Sequence, residues 1–357
     1  MDLETLRKQI DAIDREIVER LNARLKLAAE IGGVKRELGA PVYVPSREEA
    51  VFERLAAENG GPLPAGALRA IYREVIAASI ALQKELVVAY LGPEATFTHQ
   101  AATKTFGSGT RTHPCATIPD VFTAVERGEA DHGVVPVENS TEGAVFHSLD
   151  MLVETELKIV AQVYLPVEHC LISKEPLEKI TMVHSKDQAL GQCREWLRRY
   201  LPAAQFNETH STAEAVCVAR DTPGGAAVAS RLAAELYGVP VVAAGIQDRS
   251  DNITRFLVLG KAVSAPLGNG RDKTSLVFSL DDKPGALLRA LEPFSSRGVN
   301  LSKIESRPSR RKAWHYYFFI DCIGHWQDTA IREAVAALEK ACPFVKWLGS
   351  YPNVGQE

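Results

Sequence analysis

Leu3, Leu6, Ile10, Ile13, Ile17, Leu21, Leu25, Ala28 and Ile31 recur at steps of three and four residues. That spacing places them on one face of a single helix running to about Leu38, where Gly39-Ala40-Pro41 breaks it. A helix of roughly 36 residues is about 54 Å long, too long for the short segment behind it to cover the stripe. A partner chain is the natural cover, so a homodimer or tetramer is expected. Ser46-Arg47-Glu48-Glu49 has capping-box spacing and is expected to open a second helix. Gly60-Gly61-Pro62 closes it, and a third helix is expected from about Pro64 to Glu85. Residues 1–86 therefore read as an all-α helical bundle, an intertwined dimer.

The bundle carries polar groups that packing does not require. Arg24 and Lys35 share a face with Ala28 and Ile31, and Ser79 and Gln83 lie one turn apart beside Leu68, Tyr72, Val75 and Ile76. Arg7 lies about a quarter-turn from the Arg24 face of an ideal helix, so it is placed to serve a partner's pocket rather than its own. Any one of these cations read singly is a solvated side chain; the combination is what points to a site.

From Leu86 the period changes. Short apolar strands at Leu86–Leu91, Gly133–Val137, Lys158–Val163, Ile180–Val183, Ala226–Ala229 and Arg255–Leu259 alternate with helical patterns. This predicts an α/β domain over 87–264 with a mostly parallel sheet, folded as one body or as two lobes facing a cleft. Polar loops follow the strands: Gly92–Thr98, Glu138–Gly143, Ser185–Leu190 and Ser211-Thr212-Ala213. Each alone is an ordinary turn or cap, but ligands bind at strand carboxyl ends in such folds. The stretch Gly245–Gly260 begins polar and ends as an apolar strand, with Asn252, Thr254 and Arg255 at the junction.

After a linker at 264–270, strand, helix, strand, strand, helix and strand follow over 271–350, with the third strand expected from Trp314 to Ile323. That is the ferredoxin-like α+β order. Three domains suit 357 residues. A net charge of −4 argues against nucleic-acid binding, no apolar run is long enough to span a bilayer, and the charged N-terminus is unlike a secretory signal. The six cysteines have no C-x-x-C spacing and no glycine-rich phosphate loop occurs, so a cytoplasmic chain without metal or cofactor is expected.

Residues 6–83 resemble the all-helical chorismate mutase family. The match is Leu6-Arg7-x-x-Ile10-Asp11-x-Ile13-Asp14, Leu21-x-x-Arg24, Lys35, Arg47-Glu48 and Ser79-x-x-x-Gln83. The resemblance implies that Arg7 of one chain and Arg24 and Arg47 of the other hold the substrate's carboxylates. Lys35 and Gln83 would address the breaking ether oxygen, Glu48 the ring hydroxyl, and Ser79 would line the pocket. Val44 departs from the acid common at its position, which implies weaker substrate positioning. A Claisen-type rearrangement needs no nucleophile, only a compact conformer and positive charge where the oxygen becomes enolate-like.

The middle stretch resembles prephenate dehydratase in Gly92-Pro93-x-x-Thr96-Phe97-Thr98, Pro136-Val137-Glu138-Asn139-Ser140-x-Glu142-Gly143, Gln188-Ala189-Leu190-x-Gln192-Cys193, Ser211-Thr212-Ala213 and Asn252-x-Thr254-Arg255-Phe256. This implies a two-lobed fold like periplasmic binding proteins, with Thr254 central. Thr96, Asn139, Ser140, Gln188, Ser211, Asn252 and Phe256 would bind substrate, and Arg255 would hold a carboxylate or brace the loop. Gln247 stands where an acid is usual, and Lys186-Asp187 where His-Pro is common. A threonine hydroxyl is a poor acid at neutral pH. Thr254 is therefore expected to donate a hydrogen bond to the departing hydroxyl, with water or a carboxylate such as Glu138 supplying the proton.

The last stretch resembles the amino-acid-sensing ACT domain in Asp282–Leu287 and Asn300-Leu301-x-x-Ile304-Glu305-Ser306-Arg307-Pro308. Gly285, Ala286 and Leu287 would offer backbone N–H groups to the carboxylate of L-phenylalanine, Asn300 would meet its ammonium, and Leu301, Glu305 and Ser306 would complete the site. The whole chain thus resembles the fused chorismate mutase–prephenate dehydratase family, which converts chorismate through prephenate to phenylpyruvate under phenylalanine feedback. Two alternatives stay open: a dehydratase whose first domain only dimerises, and a non-catalytic sensor of a small acid.

Overall fold

The computed structural model describes residues 2–309 and 315–354. Trp314, the expected start of a strand, lies outside the described residues. The first domain is helical: α1 (Leu3–Leu38), α2 (Pro45–Glu58) and α3 (Ala65–Gln83). Asp2 caps α1 by accepting from the Thr5 amide, and Gly39 ends it in the left-handed conformation at φ 63°. The expected capping box at α2 is not formed. Val44 is the N-cap, without a side-chain bond, and Pro45 takes the first helical position, so Ser46 lies buried inside the first turn. Proline's missing N–H and fixed φ suit that position, which displaces the serine from capping.

The stripe on α1 stays largely uncovered within one chain. Leu3 is 63% exposed, Ile10 57%, Ile17 49% and Ile31 53%, and the helix buries only Ala28 and Gly32.

The second domain has two lobes. The first contains β1 (Val87–Leu91), α4 (Phe97–Phe106), β2 (Arg111–Cys115), α5 (Ile118–Arg127), β3 (His132–Asn139), β4 (Gly143–Ala144), α6 (Phe146–Glu154) and β5 (Lys158–Pro166). The chain then crosses to the second lobe. There it forms β6 (Cys170–Ile172), β7 (Met182–Ser185), α7 (Asp187–Gln192), α8 (Arg194–Tyr200), β8 (Gln205–Glu208), α9 (Thr212–Asp221), β9 (Gly225–Ala229), α10 (Arg231–Tyr237) and β10 (Val241–Ala244). It returns as β11 (Ile253–Gly260) to the first sheet, whose order is β2-β1-β3-β11-β5. The second sheet has the order β10-β6-β9-β7-β8.

Neither sheet is mostly parallel. β1 pairs parallel with β2 and β3, but β11 runs antiparallel to both β3 and β5; in the second sheet β6 runs antiparallel to β9 and β10. The strands at the two crossings cause this. Where the chain enters a lobe, as β6 and again as β11, it runs against the strands that alternate with helices, whereas β5 and β10, by which it leaves, run with them. The crossings are tied together: the Val167 amide donates to the Asn252 carbonyl at 2.8 Å, and the Ile246 amide to the His169 carbonyl at 3.0 Å. Gln247 Oε1 accepts from the His169 amide at 3.0 Å, an acceptor's task that the usual acid would also perform.

The third domain has β12 (Asp272–Ser279), α11 (Ala286–Ser295), β13 (Leu301–Pro308), β14 (Tyr316–Ile323), α12 (Thr329–Ala341) and β15 (Phe344–Pro352), in the antiparallel order β13-β14-β12-β15. Its sheet packs directly on the first lobe. Val277, Phe319, Leu348 and Tyr351 join Val135, Val137, Ile159, Leu257 and Leu259 in one buried cluster. Lys346 Nζ donates to the Val153 carbonyl at 2.9 Å, and Arg307 pairs with Asp150.

Gly349 lets these backbones meet: a Cβ there would lie 2.2 Å from the Ile159 carbonyl oxygen and 2.8 Å from its nitrogen. Backbone cannot give way as a flexible side chain can. Gly349→Ala is expected to cost about 3 kcal/mol and to lower the melting of both domains together. Scanning calorimetry checks this; an unchanged melting temperature would contradict the packing.

Candidate active sites and comparison with known proteins

The first candidate site lies among the three helices. Arg24 Nη1 donates to Ser79 Oγ at 2.5 Å, and Ser79 donates to the Val75 carbonyl at 2.7 Å. Gly32 allows α3 to come close, since a Cβ there would lie 2.6 Å from Gln83 Cγ. Gln83 Oε1 is buried without a partner, a polar atom left for a ligand to satisfy. Lys35 Nζ donates to the Val42 carbonyl at 2.9 Å, and partial burial lowers its pKa against the raising influence of Glu48. Glu48 itself is pushed up to about 7 by burial, with the Arg73 charge, 3.1 Å away, opposing. Arg24, Lys35, Glu48, Ser79 and Gln83 thus gather around one α1–α3 contact. Arg47 is exposed at the start of α2, and Arg7 is exposed on the far part of α1.

The second candidate site lies where β3 and β11 end at the crossings. Asn139 is the last residue of β3 rather than a loop residue, and it stands opposite Thr254 in the ladder. Its Nδ2 donates to Thr254 Oγ1 at 2.8 Å and to Asn252 Oδ1 at 2.7 Å. Its Oδ1 accepts from the amides of Thr141 and Glu142, both at 3.0 Å, which fixes the carboxamide orientation. Ser140 Oγ accepts from the Ile253 amide at 2.9 Å and donates to the Asp251 carbonyl at 2.9 Å, closing the turn. Thr96 caps α4, Ser211 caps α9, and Gln188 is exposed on α7.

In the sequence Gln192 stands within the Gln188–Cys193 motif without a role, and His169 was overlooked. Gln192 Oε1 accepts from Asn252 Nδ2 at 3.1 Å and lies 2.9 Å from His169 Nε2, while its Nε2 reaches Glu142 Oε1 at 3.4 Å. It ties the second lobe to the Asn139–Asn252–Thr254 cluster. Its position within Gln188–Cys193 was the only signal; His169 carried none. A cavity of about 570 Å³ lies between the lobes, lined by Gly92 and Pro93 on one side and by His210, Ser211 and Glu214 on the other. Of the residues expected to bind substrate it is lined by Ser211, and not by Asn139, Asn252 or Thr254.

Three expectations need correction. Arg255 turns away from Thr254, because successive residues of a strand face opposite sides. It meets Asp321 at 2.6 Å and Tyr351 Oη at 2.8 Å in the third domain, so bracing rather than substrate contact is its visible task. Phe256 is core, packed with Tyr90, Val134 and Val258. Glu138 pairs with Lys303 at 2.7 Å on the Arg255 side and does not face Thr254. In the third domain Gly285 opens α11 at φ 74°, while Asn300 lies past the other end of that ten-residue helix. One chain therefore does not bring the Gly285–Leu287 loop and the Asn300–Leu301 start of β13 together. Glu305 and Ser306 follow farther along β13.

Family models match the three domains in turn: chorismate mutase type II over residues 6–84, prephenate dehydratase over 88–264 and the ACT domain over 274–340. The chain is 47% identical to a bifunctional chorismate mutase/prephenate dehydratase of Aquifex aeolicus, over 99% of this chain and 98% of that protein. A solved prephenate dehydratase from Arthrobacter aurescens in complex with L-Phe is 34% identical, with a TM-score of 0.70, covering 76% of this chain and 92% of that one. A structure described as a novel type of quorum quenching acylase is 28% identical with a TM-score of 0.68, covering 75% of this chain and 98% of that one. The chain belongs to the bifunctional chorismate mutase/prephenate dehydratase family.

The raised pKa of Glu48 has a consequence for stability. The fold prefers the protonated form, so its contribution is fully present below the ordinary value of 4.5 and is lost as pH rises through about 7. Glu48→Gln keeps the shape and cannot ionise. Between pH 5 and 8 the variant's melting temperature is expected to fall less with pH than the wild type's; parallel curves would contradict the shift.

Proposed function

We infer that this chain rearranges chorismate to prephenate in its first domain and converts prephenate to phenylpyruvate, carbon dioxide and water in its second, with L-phenylalanine acting through the third. The domain bounds are taken as 1–86, 87–264 and 271–350. One observation carries the dehydratase reading: Thr254 Oγ1 accepts from Asn139, and among the described residues its own hydrogen has no acceptor. That leaves the hydroxyl free to donate to a leaving group. Aromatisation of the ring drives loss of the hydroxyl and the carboxylate together, so a fixed donor needs no perturbed pKa. Glu142 is a carboxylate linked to this cluster through Gln192, and it or solvent supplies the proton. The acylase likeness covers 75% of this chain, whereas the likeness to bifunctional relatives covers 99% of it.

In the mutase, Lys35 and Gln83 provide the positive and polar groups that stabilise charge developing on the ether oxygen. Arg24 and Arg47 hold substrate carboxylates, with Ser79 fixing Arg24. Arg7 serves a second copy of the chain, because the uncovered face of α1 carries it away from its own pocket. The same face supports a homodimer or a larger assembly. The effector site also calls for two chains. An amino acid's carboxylate and ammonium sit a few ångströms apart, whereas the segments proposed for each flank a helix about 15 Å long. No helix among the described residues is long and apolar enough to cross a membrane, and we place the enzyme in the cytoplasm. The reaction logic calls for no cofactor.

Supplying chorismate and then prephenate, and following phenylpyruvate with and without phenylalanine, tests the whole reading. Thr254→Val is expected to lower dehydratase kcat by about a hundredfold or more while the mutase rate stays unchanged; an unaltered dehydratase rate contradicts the assignment. Lys35→Ala and Arg7→Ala are each expected to abolish mutase turnover. Mixed after unfolding and refolding together, the two variants should recover about one quarter of wild-type activity, since half the dimers are hybrids with one intact site each. No recovery would place Arg7 in its own chain's pocket.

A further inference from the structure

Two ion pairs link α2 to α3. Arg69 and Arg73 stand one turn apart on α3 and place their guanidinium carbons over the ring of Phe52, 4.4 and 4.6 Å from its centre. Arg69 pairs with Glu49, its Nη1 donating to Oε1 at 2.9 Å. Arg73 Nη1 donates to Glu48 Oε2 at 3.1 Å and to the Thr105 carbonyl at 3.1 Å. The ring and that carbonyl hold the Arg73 guanidinium from two further sides. Among the described residues Arg73 is the only side chain that donates to Glu48, whose own side chain is 11% exposed.

Glu48 is the acid expected at the ring hydroxyl, and it also acts on Lys35. Burial lowers the Lys35 pKa, and the Glu48 charge raises it. That second task needs the carboxylate, since the neutral acid carries no charge. Burial favours the neutral acid and pushes Glu48 up to about 7, with the Arg73 charge the strongest opposing influence. Of the other charged groups around it, Glu49 raises the Glu48 pKa, and Arg69 and Lys35 lower it less than Arg73 does. Tyr43, in the loop between α1 and α2, is pushed above the ordinary phenol range by burial and stays neutral. Arg7 of a second copy would add the same charge to wild type and variants alike.

We propose that Arg73 is a positioning residue of the mutase, holding Glu48 in place beside Lys35 and preserving its negative charge. The proposal rests on the assignment of Glu48 and Lys35 to that reaction. All three residues belong to the first domain.

The test uses the full-length chain. The wild type must first rearrange chorismate; failure there overturns the mutase assignment and is distinct from failure of the positioning role. Mutase kcat/KM is then followed from pH 5 to 9. In the wild type it is expected to rise with a midpoint at about 7, and in Glu48→Gln that rise is expected to vanish. Arg73→Gln removes the cation and keeps an N–H donor; Arg73→Met removes both. In each the midpoint is expected to move up by about one pH unit, so that the rate falls about fivefold at pH 7 and returns close to the wild-type value at pH 9. Arg73→Lys keeps the charge and is expected to keep the wild-type midpoint. The dehydratase rate in each preparation controls for folding, and its loss in both neutral variants overturns the proposal, because Arg73 then serves the whole fold. An unmoved midpoint, a fall of equal size at every pH, or a rise that survives in Glu48→Gln overturns it as well.

Discussion

The contact between Arg255 and Asp321 joins two charges from two domains in a place that water does not reach. Burying either alone would cost several kcal/mol, so each domain presents a surface that is complete only against the other. Burial alone would raise the Asp321 pKa; the Arg255 guanidinium and the Ser275 hydroxyl override it and hold the carboxyl below its ordinary value. The apolar residues around the pair, from Val137 and Leu257 on one side to Val277 and Tyr351 on the other, form one core. Strand β11 is therefore sandwiched: its Thr254 side faces the Asn139–Asn252 cluster, and its Arg255 side is packed against the sheet of the third domain.

The helical domain is attached differently. It meets the first lobe through polar and aromatic contacts: Arg73 Nη1 to the Thr105 carbonyl at 3.1 Å, Glu74 to the Ser108 amide at 3.2 Å, and Tyr43 with its ring 4.7 Å from that of Phe106. Its apolar stripe points elsewhere and stays uncovered within one chain. Catalysis there needs only fixed cations and a shaped pocket, which a bundle supplies without a cleft or moving lobes. The chain thus couples a module whose apolar face one copy leaves bare to a pair of modules that complete each other.

Much of this was legible in the sequence because it depends on period. The step of three and four gave α1 and its bare face, the run at Leu86 marked the change to strands, and the last six elements came in the right order. Short strands escaped: Arg111–Cys115, Cys170–Ile172, Gln205–Glu208 and Val241–Ala244 are too brief or too polar to show a pattern. Strand direction escaped too, because crossings between lobes leave no local mark. Among the expected site residues, the resemblance to prephenate dehydratase implied that Asn139, Asn252 and Thr254 belong together, and they do meet. Arg255 was open to holding a carboxylate or bracing the loop, because its partner lies 66 residues away in another domain, a contact that only the fold reveals. The Ser46 cap failed for a local reason, the proline just before it.

The close approach of Gly349 to the backbone of Ile159 bears on how feedback control of such a chain can be relaxed. Deleting the C-terminal domain would strip a sheet from the first lobe, leaving Leu257, Leu259 and Ile159 facing solvent and Arg255 without its counter-ion. Substitutions that leave this contact intact lie on the outer side of the third domain, around the Gly285 loop, where α11 offers Leu288 to solvent.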